Sequence, residues 1–91
     1  MVEASWIPTD ISPALGIGTY RVWMVKVAST NSGYLVTMTP ATYGTIVNIN
    51  GCDSDTGAVE DPTWAPSTGV ITIGGSSNNG KARTYVVYTL R

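Results

Sequence analysis

The sequence predicts an all-β fold, a small antiparallel β-sandwich or β-barrel that carries an extended N-terminal arm. Val, Ile, Thr, Tyr and Trp, which favour strands, make up about two fifths of the 91 residues, whereas the helix-favouring residues Leu and Lys number only 3 and 2. Short alternating segments are separated by turn residues at intervals typical of sandwiches and barrels. A chain of this length supports a single hydrophobic core, so we predict an arm at 1–18 and one β domain at 19–91.

The N-terminal arm differs in character from the rest of the chain. Pro8 and Pro13 interrupt both helix and strand patterns. The arm is nevertheless rich in large apolar side chains, and a solvated, disordered tail would not carry so many. We therefore expect it to lie extended against protein, either on its own sheet or on a neighbouring subunit or host surface. The arm residues that we expect to bind a partner are Trp6, Ile7, Pro8, Ile11 and Leu15.

Five segments of the domain have strand patterns. The predicted strands are 19–28, 34–39, 43–49, 70–74 and 82–90. In the first of them both alternating faces are mostly apolar, which predicts a central strand that is covered on both sides, with Trp23 in the core. Turns rich in Asn and Gly are predicted at 31–33, 50–51 and 75–80.

A long irregular stretch at 51–69 holds four of the six acidic residues, two prolines and Trp64. A loop of that length in so small a domain is functional or contains a short strand. The segment 53–57, Asp-Ser-Asp-Thr-Gly, is similar to the beginning of a calcium-binding loop, but the later positions lack the oxygen ligand, glycine and glutamate that such a loop needs. We therefore interpret it as a hydrated turn. An exposed Trp64 would stack on a sugar ring or fill a partner's pocket, and a buried one would close an end of the sandwich.

Several functional classes are excluded or disfavoured by residues that the chain lacks. It has no His and a single cysteine, Cys52, so neither a histidine-based catalytic triad nor a Cys/His zinc site can form. Paired catalytic carboxylates need a cleft, which a small sheet provides poorly. Five basic residues give a weak field for nucleic acid, and no apolar stretch is long enough for a membrane helix. We expect a non-enzymatic protein with no cofactor and no metal, and with neither nucleic acid nor a membrane as partner.

The low charge content predicts association with other subunits. Charged residues make up 12% of the chain and the formal net charge is −1, which is low for the surface of a soluble monomer. The sequence also offers neither the disulfides nor the metal sites that stabilise many small domains, and oligomerisation is the remaining common means. We therefore predict a homo-oligomer.

The C-terminal block, residues 69–91, reads GVITIGGSSNNGKARTYVVYTLR, a strand, a glycine-rich turn and a final strand. Together with the apolar, Pro-interrupted arm at 1–18, this block resembles small tailed-phage virion proteins, particularly capsid decoration (cement) proteins. The resemblance implies a β-sandwich or β-tulip domain, made in the host cytoplasm, that forms a homotrimer on the capsid exterior. It also implies that the arm contacts the major capsid protein or a sister subunit, so that the protein clamps neighbouring capsomers against internal DNA pressure. The chain lacks the helix that some of these families carry.

Two other functions fit the same sequence. A carbohydrate- or receptor-binding β module would use Trp64, Trp6 and the acidic segment 53–61, and it predicts that Trp fluorescence shifts when oligosaccharides are added. A subunit of a phage tail or baseplate is the second alternative, because nothing in the sequence separates a tail protein from a head protein.

Overall fold

The computed structural model describes residues 2–12, 20–74 and 80–90. In these ranges the chain forms strands β1 (Trp6–Asp10), β2 (Tyr20–Thr30), β3 (Leu35–Thr37), β4 (Thr45–Asp53), β5 (Thr63–Ala65), β6 (Val70–Thr72) and β7 (Lys81–Leu90), and one short helix, α1 (Pro40–Tyr43). A four-stranded sheet has the order β1-β2-β7-β4 and a three-stranded sheet the order β3-β6-β5, and neighbouring strands are antiparallel. The prediction of a small antiparallel all-β domain is therefore confirmed, with two sheets.

The hydrophobic core draws on both sheets. In β7 every second residue from Arg83 to Thr89 is buried, as expected for a strand with one face against a core. Val25 and Val87 of the four-stranded sheet belong to the same cluster of buried side chains as Val36 and Ile71 of the three-stranded sheet. The predicted core position of Trp23 is confirmed, since this residue is buried in the same cluster.

Strand β2 is central in its sheet, as predicted, but only one of its faces is fully covered. Trp23, Val25 and Val27 point into the core, whereas Lys26 and Ala28 on the opposite face are exposed. The three-stranded sheet covers one side of the four-stranded sheet. On the other side, here called the outer face, Val22 is buried near the beginning of β2, and the described strands form no second layer. The prediction that β2 is covered on both sides is therefore wrong for the part of the strand that holds Lys26 and Ala28, because apolar content alone does not tell how many layers a fold has.

Part of the N-terminal arm is a strand, in spite of its proline. Trp6–Asp10 forms β1, which pairs with β2 at the edge of the four-stranded sheet. Backbone hydrogen bonds join Ala28 to Ser5 and Ile11 to Val22, and the alternation between them turns the nitrogen of Pro8 towards the open edge. Pro8 thus removes no hydrogen bond between strands, which is why an edge strand tolerates it.

The segment before β1 contacts the other sheet. The backbone of residues 2–4 pairs with Leu35 of β3 through hydrogen bonds of 2.7 and 2.9 Å. The carboxylate of Glu3 accepts hydrogen bonds from the backbone and side chain of Thr37 and from the Trp6 indole, at 2.8 to 2.9 Å. The first ten residues described therefore connect the two sheets at one edge of the sandwich.

Two predicted boundaries were wrong at β4. A strand was expected at 43–49 with a turn at Asn50-Gly51, but Tyr43 ends α1 and β4 continues through Gly51 to Asp53. The glycine is needed for close packing here, because a Cβ at Gly51 would lie 2.4 Å from the Glu60 carbonyl oxygen and 2.7 Å from the Tyr85 ring. The long stretch at 51–69 also contains a short strand, β5.

Within the ranges that the structure describes, no helix has the length and apolar character needed to cross a membrane.

Candidate interaction surface

The arm forms one wall of a groove on the surface. This arm groove has a volume of about 640 Å³ and is lined by Ala4, Ser5, Trp6, Ile7, Lys26, Val27 and Ala28. It lies between the beginning of β1 and the end of β2, where the two strands pair. Most of the lining is small or apolar, so the groove offers a partner apolar contact area with one positive charge at Lys26.

Alternation along β1 gives neighbouring arm residues opposite roles. Trp6 packs on the core, its ring lies 5.8 Å from that of Tyr43, and its indole N–H donates a 2.9 Å hydrogen bond to Glu3. Ile7 points to the outer face and is 71% exposed, opposite Lys26. Trp6 therefore anchors the strand, and Ile7 is the apolar side chain that the anchored strand presents to solvent.

The C-terminal end of β1 is fixed by a polar network. The Asp10 carboxylate accepts hydrogen bonds from the Ser12 backbone and hydroxyl at 2.9 and 2.6 Å and pairs with Arg21 at 3.1 Å. The hydrogen bonds from Ser12, together with the Arg21 charge, hold the pKa of Asp10 below its ordinary value of 3.8. The Arg21 guanidinium also lies 4.6 Å from the centre of the Trp23 ring, a cation–π contact.

The other predicted arm residues contribute less exposed surface. Pro8 and Ile11 are half-buried. Leu15 lies outside the described residues. Of the predicted arm set, Ile7 is thus the residue with a large exposed apolar side chain in the part of the arm that the structure describes.

Trp64 lies on β5, in the other sheet, and does not line the arm groove. It is half-buried, pairs with Ile71 of β6 and packs against the core cluster. The structure therefore does not combine Trp6 and Trp64 into one aromatic binding surface, because each ring packs against the core from a different sheet.

The acidic residues of 53–61 support the backbone. Asp53 is buried and accepts hydrogen bonds from the backbone N–H groups of Asp55 and Thr56, which closes a turn. Asp61 accepts a 3.0 Å hydrogen bond from the Gly51 backbone. Among the described residues, no group of three or more His, Cys, Asp or Glu side chains is placed to hold a metal ion.

A buried ion pair was missed in the sequence. Arg83 and Glu60 are joined at 2.9 Å, with side-chain exposures of 0% and 3%. Arg83 also donates hydrogen bonds to the carbonyl oxygens of Thr30 and Lys81 at 2.8 and 3.2 Å. The alternation of side chains along β7 could have revealed the pair. Arg83 lies on the same buried face of this strand as Tyr85, and a buried arginine needs an acidic partner.

Next to the ion pair, Tyr85 is fully buried, and its hydroxyl has no hydrogen-bond partner among the residues that the structure describes. Burial raises the pKa of Tyr85 to about 12, the Glu60 charge acts in the same direction, and the Arg83 charge opposes it. The hydroxyl therefore stays neutral inside the core, where its unpaired burial lowers the stability of the fold and keeps it away from any substrate.

A second depression lies on the outer face, towards the other edge of the four-stranded sheet. Its volume is about 430 Å³ and its lining is Tyr20, Val47, Asn48, Asn50 and Tyr88, here called the tyrosine depression. None of these residues lines the arm groove. The sequence pattern does not indicate them, because their common face depends on the pairing of β2, β7 and β4.

Compared with models of protein families, with curated proteins and with solved structures, the chain matches none.

Proposed function

We propose that this chain is a non-enzymatic structural protein of a virion, of the capsid decoration type, that attaches to neighbouring capsomers through the arm groove. The observation that carries the proposal is the exposure of Ile7 on β1. This strand pairs with β2 of one sheet, and the residues just before it pair with β3 of the other. The resemblance of residues 69–91 and 1–18 to small tailed-phage virion proteins supplies the class of partner, the major capsid protein and sister subunits.

Anchoring matters because a partner then binds a surface that is already ordered. Trp6 and Glu3 fix the beginning of β1, and Asp10 with Arg21 fixes its end. An ordered surface loses less conformational entropy on binding than a disordered tail. Burial of one isoleucine side chain contributes roughly 1.5–3 kcal/mol, and repetition over the many joints of a shell turns weak contacts into stable attachment through multivalency.

The scarcity of charge supports the same function. Lys26 is the charged residue in the lining of the arm groove, so little desolvation of charge opposes its burial against a shell. The mechanism is mechanical, because contact area across joints between capsomers resists outward pressure without any chemical step.

The test is co-sedimentation with capsids of the phage that encodes the chain. We expect Ile7→Ser to weaken attachment and Val59→Ser to leave it unchanged. Val59 is a matched control because it is 78% exposed and lies outside the arm groove. Equal attachment of both variants, or no attachment of the unmodified chain, would contradict the proposal.

A tail or baseplate subunit would present the same kind of surface. Mass spectrometry of separated heads and tails distinguishes the two, since the decoration proposal places the chain with the heads.

A further inference from the structure

We propose that the tyrosine depression is a binding site for an uncharged saccharide, at a place separate from the arm groove. The inference does not depend on the capsid proposal, and it places sugar binding on the outer face of the four-stranded sheet instead of at Trp64 or Trp6.

The strand register brings the lining residues to one face. Asn48 lies opposite Tyr88, Asn50 lies opposite Val86, and Tyr20 is paired with Leu90, one place along the same face from Tyr88. Neighbouring strands are about 4.8 Å apart, so the depression extends roughly 10 Å across β2, β7 and β4. That width fits one pyranose ring of an oligosaccharide lying flat on the sheet.

The lining combines the two kinds of contact that a sugar needs. The rings of Tyr20 and Tyr88 and the methyl groups of Val47 offer apolar surface to the C–H groups of a pyranose. The amides of Asn48 and Asn50 offer both donors and acceptors for hydroxyl groups. Small-molecule sites typically consist of such an apolar surface with a few polar groups that fix orientation.

The polar groups of the depression are free to bind a ligand. Among the described residues, the side chains of Tyr20, Asn48, Asn50 and Tyr88 form no hydrogen bond, in contrast to the buried polar groups of the core. Both asparagines are exposed, and Tyr20 is 43% exposed. They are therefore available without any rearrangement of the fold.

The absence of charge in the lining selects the class of ligand. The five lining residues include no Lys, Arg, Asp or Glu. A phosphate or carboxylate would find no cation to pair with, and an amine would find no carboxylate. A neutral ligand with one apolar face and many hydroxyl groups is the remaining match, which is the chemistry of neutral hexoses and N-acetylhexosamines.

The experiment is a screen of the full chain on an array of neutral and sialylated glycans, followed by ¹H–¹⁵N NMR titration with the neutral glycan that binds most strongly. We expect shifts concentrated at residues 20, 47–50 and 88. Shifts centred on Trp64 or Trp6, binding restricted to the sialylated glycans, or no binding at millimolar glycan would each overturn the proposal.

Variants then test the named side chains. The double substitution Asn48→Ala and Asn50→Ala removes exposed amides without disturbing the core, and we expect it to weaken binding about tenfold or more. Tyr88→Ala is expected to do the same and Tyr88→Phe to stay within about threefold, since the ring is retained. Ile7→Ser is the control and should bind the glycan as the unmodified chain does. An unchanged affinity in the asparagine double variant would overturn the assignment, whatever Tyr88→Ala does to folding.

Discussion

At the scale of single residues, the unusual feature is the polar chemistry inside the core. Arg83, Glu60 and Tyr85 are buried together. Within the described ranges, one carboxylate oxygen of Glu60 and the Tyr85 hydroxyl have no hydrogen-bond partner. Buried polar groups are stabilising only when they are paired. The ion pair between Arg83 and Glu60 is therefore a contact that the fold needs, whereas the Tyr85 hydroxyl is destabilising.

The ion pair is the contact that the fold needs. We expect Glu60→Gln to lower the free energy of unfolding by about 3 kcal/mol, because the Arg83 charge would remain buried without its counter-charge. Urea denaturation at neutral pH measures this. The control is Asp55→Asn, at an exposed side chain, for which a change within about 0.5 kcal/mol is expected. Equal effects of the two substitutions would show that the buried pair contributes nothing.

Tyr85→Phe tests the unpaired hydroxyl. We expect a gain of about 1 kcal/mol at neutral pH, since a buried group without a partner is removed and the ring remains. The folded pKa of about 12 lies above the ordinary value of 10.0, so ionisation of the hydroxyl opposes folding. Below pH 10 the stability does not depend on this ionisation, and the stability falls as the pH rises from 10 through 12. The variant should lack that alkaline loss. A lower urea midpoint for Tyr85→Phe would show that the hydroxyl has a partner.

At the scale of elements, the N-terminal segment holds the sandwich together at one edge. Residues 2–4 pair with β3, and β1 pairs with β2 of the other sheet. Pro8 on the open edge of β1 also discourages a further strand from pairing there, because it offers no N–H. The arm groove is thus formed by an edge strand that presents side chains to a partner, while Pro8 hinders the pairing of another strand with its backbone.

Acid should loosen β1 before the rest of the four-stranded sheet. The pKa of Asp10 is below 3.8 in the folded chain, so its contribution to stability is present above pH 3.8 and is lost as the pH falls through the lower, folded value. We expect faster hydrogen exchange at the β1 amides in this range, relative to β7. In Asp10→Asn, β1 should exchange faster already at neutral pH and show no further acid step. Parallel changes in β1 and β7 would mean that Asp10 does not control the docking of the strand.

At the scale of the whole molecule, the domain is a thin slab in which part of the outer face is exposed. Its extents are 36 × 26 × 17 Å, so the core is only the single layer between two sheets. The arm groove lies at the β1 edge of the four-stranded sheet, and the tyrosine depression lies on the outer face towards the β4 edge. A capsid-bound subunit would therefore have one surface for attachment and a separate one for a glycan.

The oligomeric state is the property to measure at this scale. Low charge favours association, because burial of part of the surface stabilises a small domain, and the resemblance to decoration proteins implies a trimer. We therefore expect light scattering over a concentration series to give a constant mass of about three times the 9.6 kDa of the chain. A constant mass of one chain at all concentrations would contradict the predicted homotrimer and would remove low charge as an argument for assembly. Ile7→Ser tells whether the arm groove takes part in the oligomer.

Several features followed from the sequence because they depend on neighbours along the chain. The alternation of β7, the strand character of β2 and the burial of Trp23 are local patterns of side-chain type. The apolar character of the arm led to the expectation that 1–18 lies against protein, and Trp6–Asp10, within that range, pairs with β2. The predictions at Pro8 and Gly51 were wrong because neighbouring residues do not decide between two structures. A proline occurs both at a break and in an edge strand, and a glycine occurs both in a turn and where a strand packs closely.

The sequence by itself determined the fold class, because a two-residue period of apolar side chains forces strands that share one core. Tertiary structure alone decided which faces remain open and which distant residues meet. The pairing of Glu60 with Arg83, the exposure of Ile7 and the meeting of Tyr20, Asn48 and Tyr88 on one face each depend on the order of strands in the sheets. Strand order is set by long-range packing, which brings together residues far apart in the chain, and that information is not carried by any single stretch of sequence.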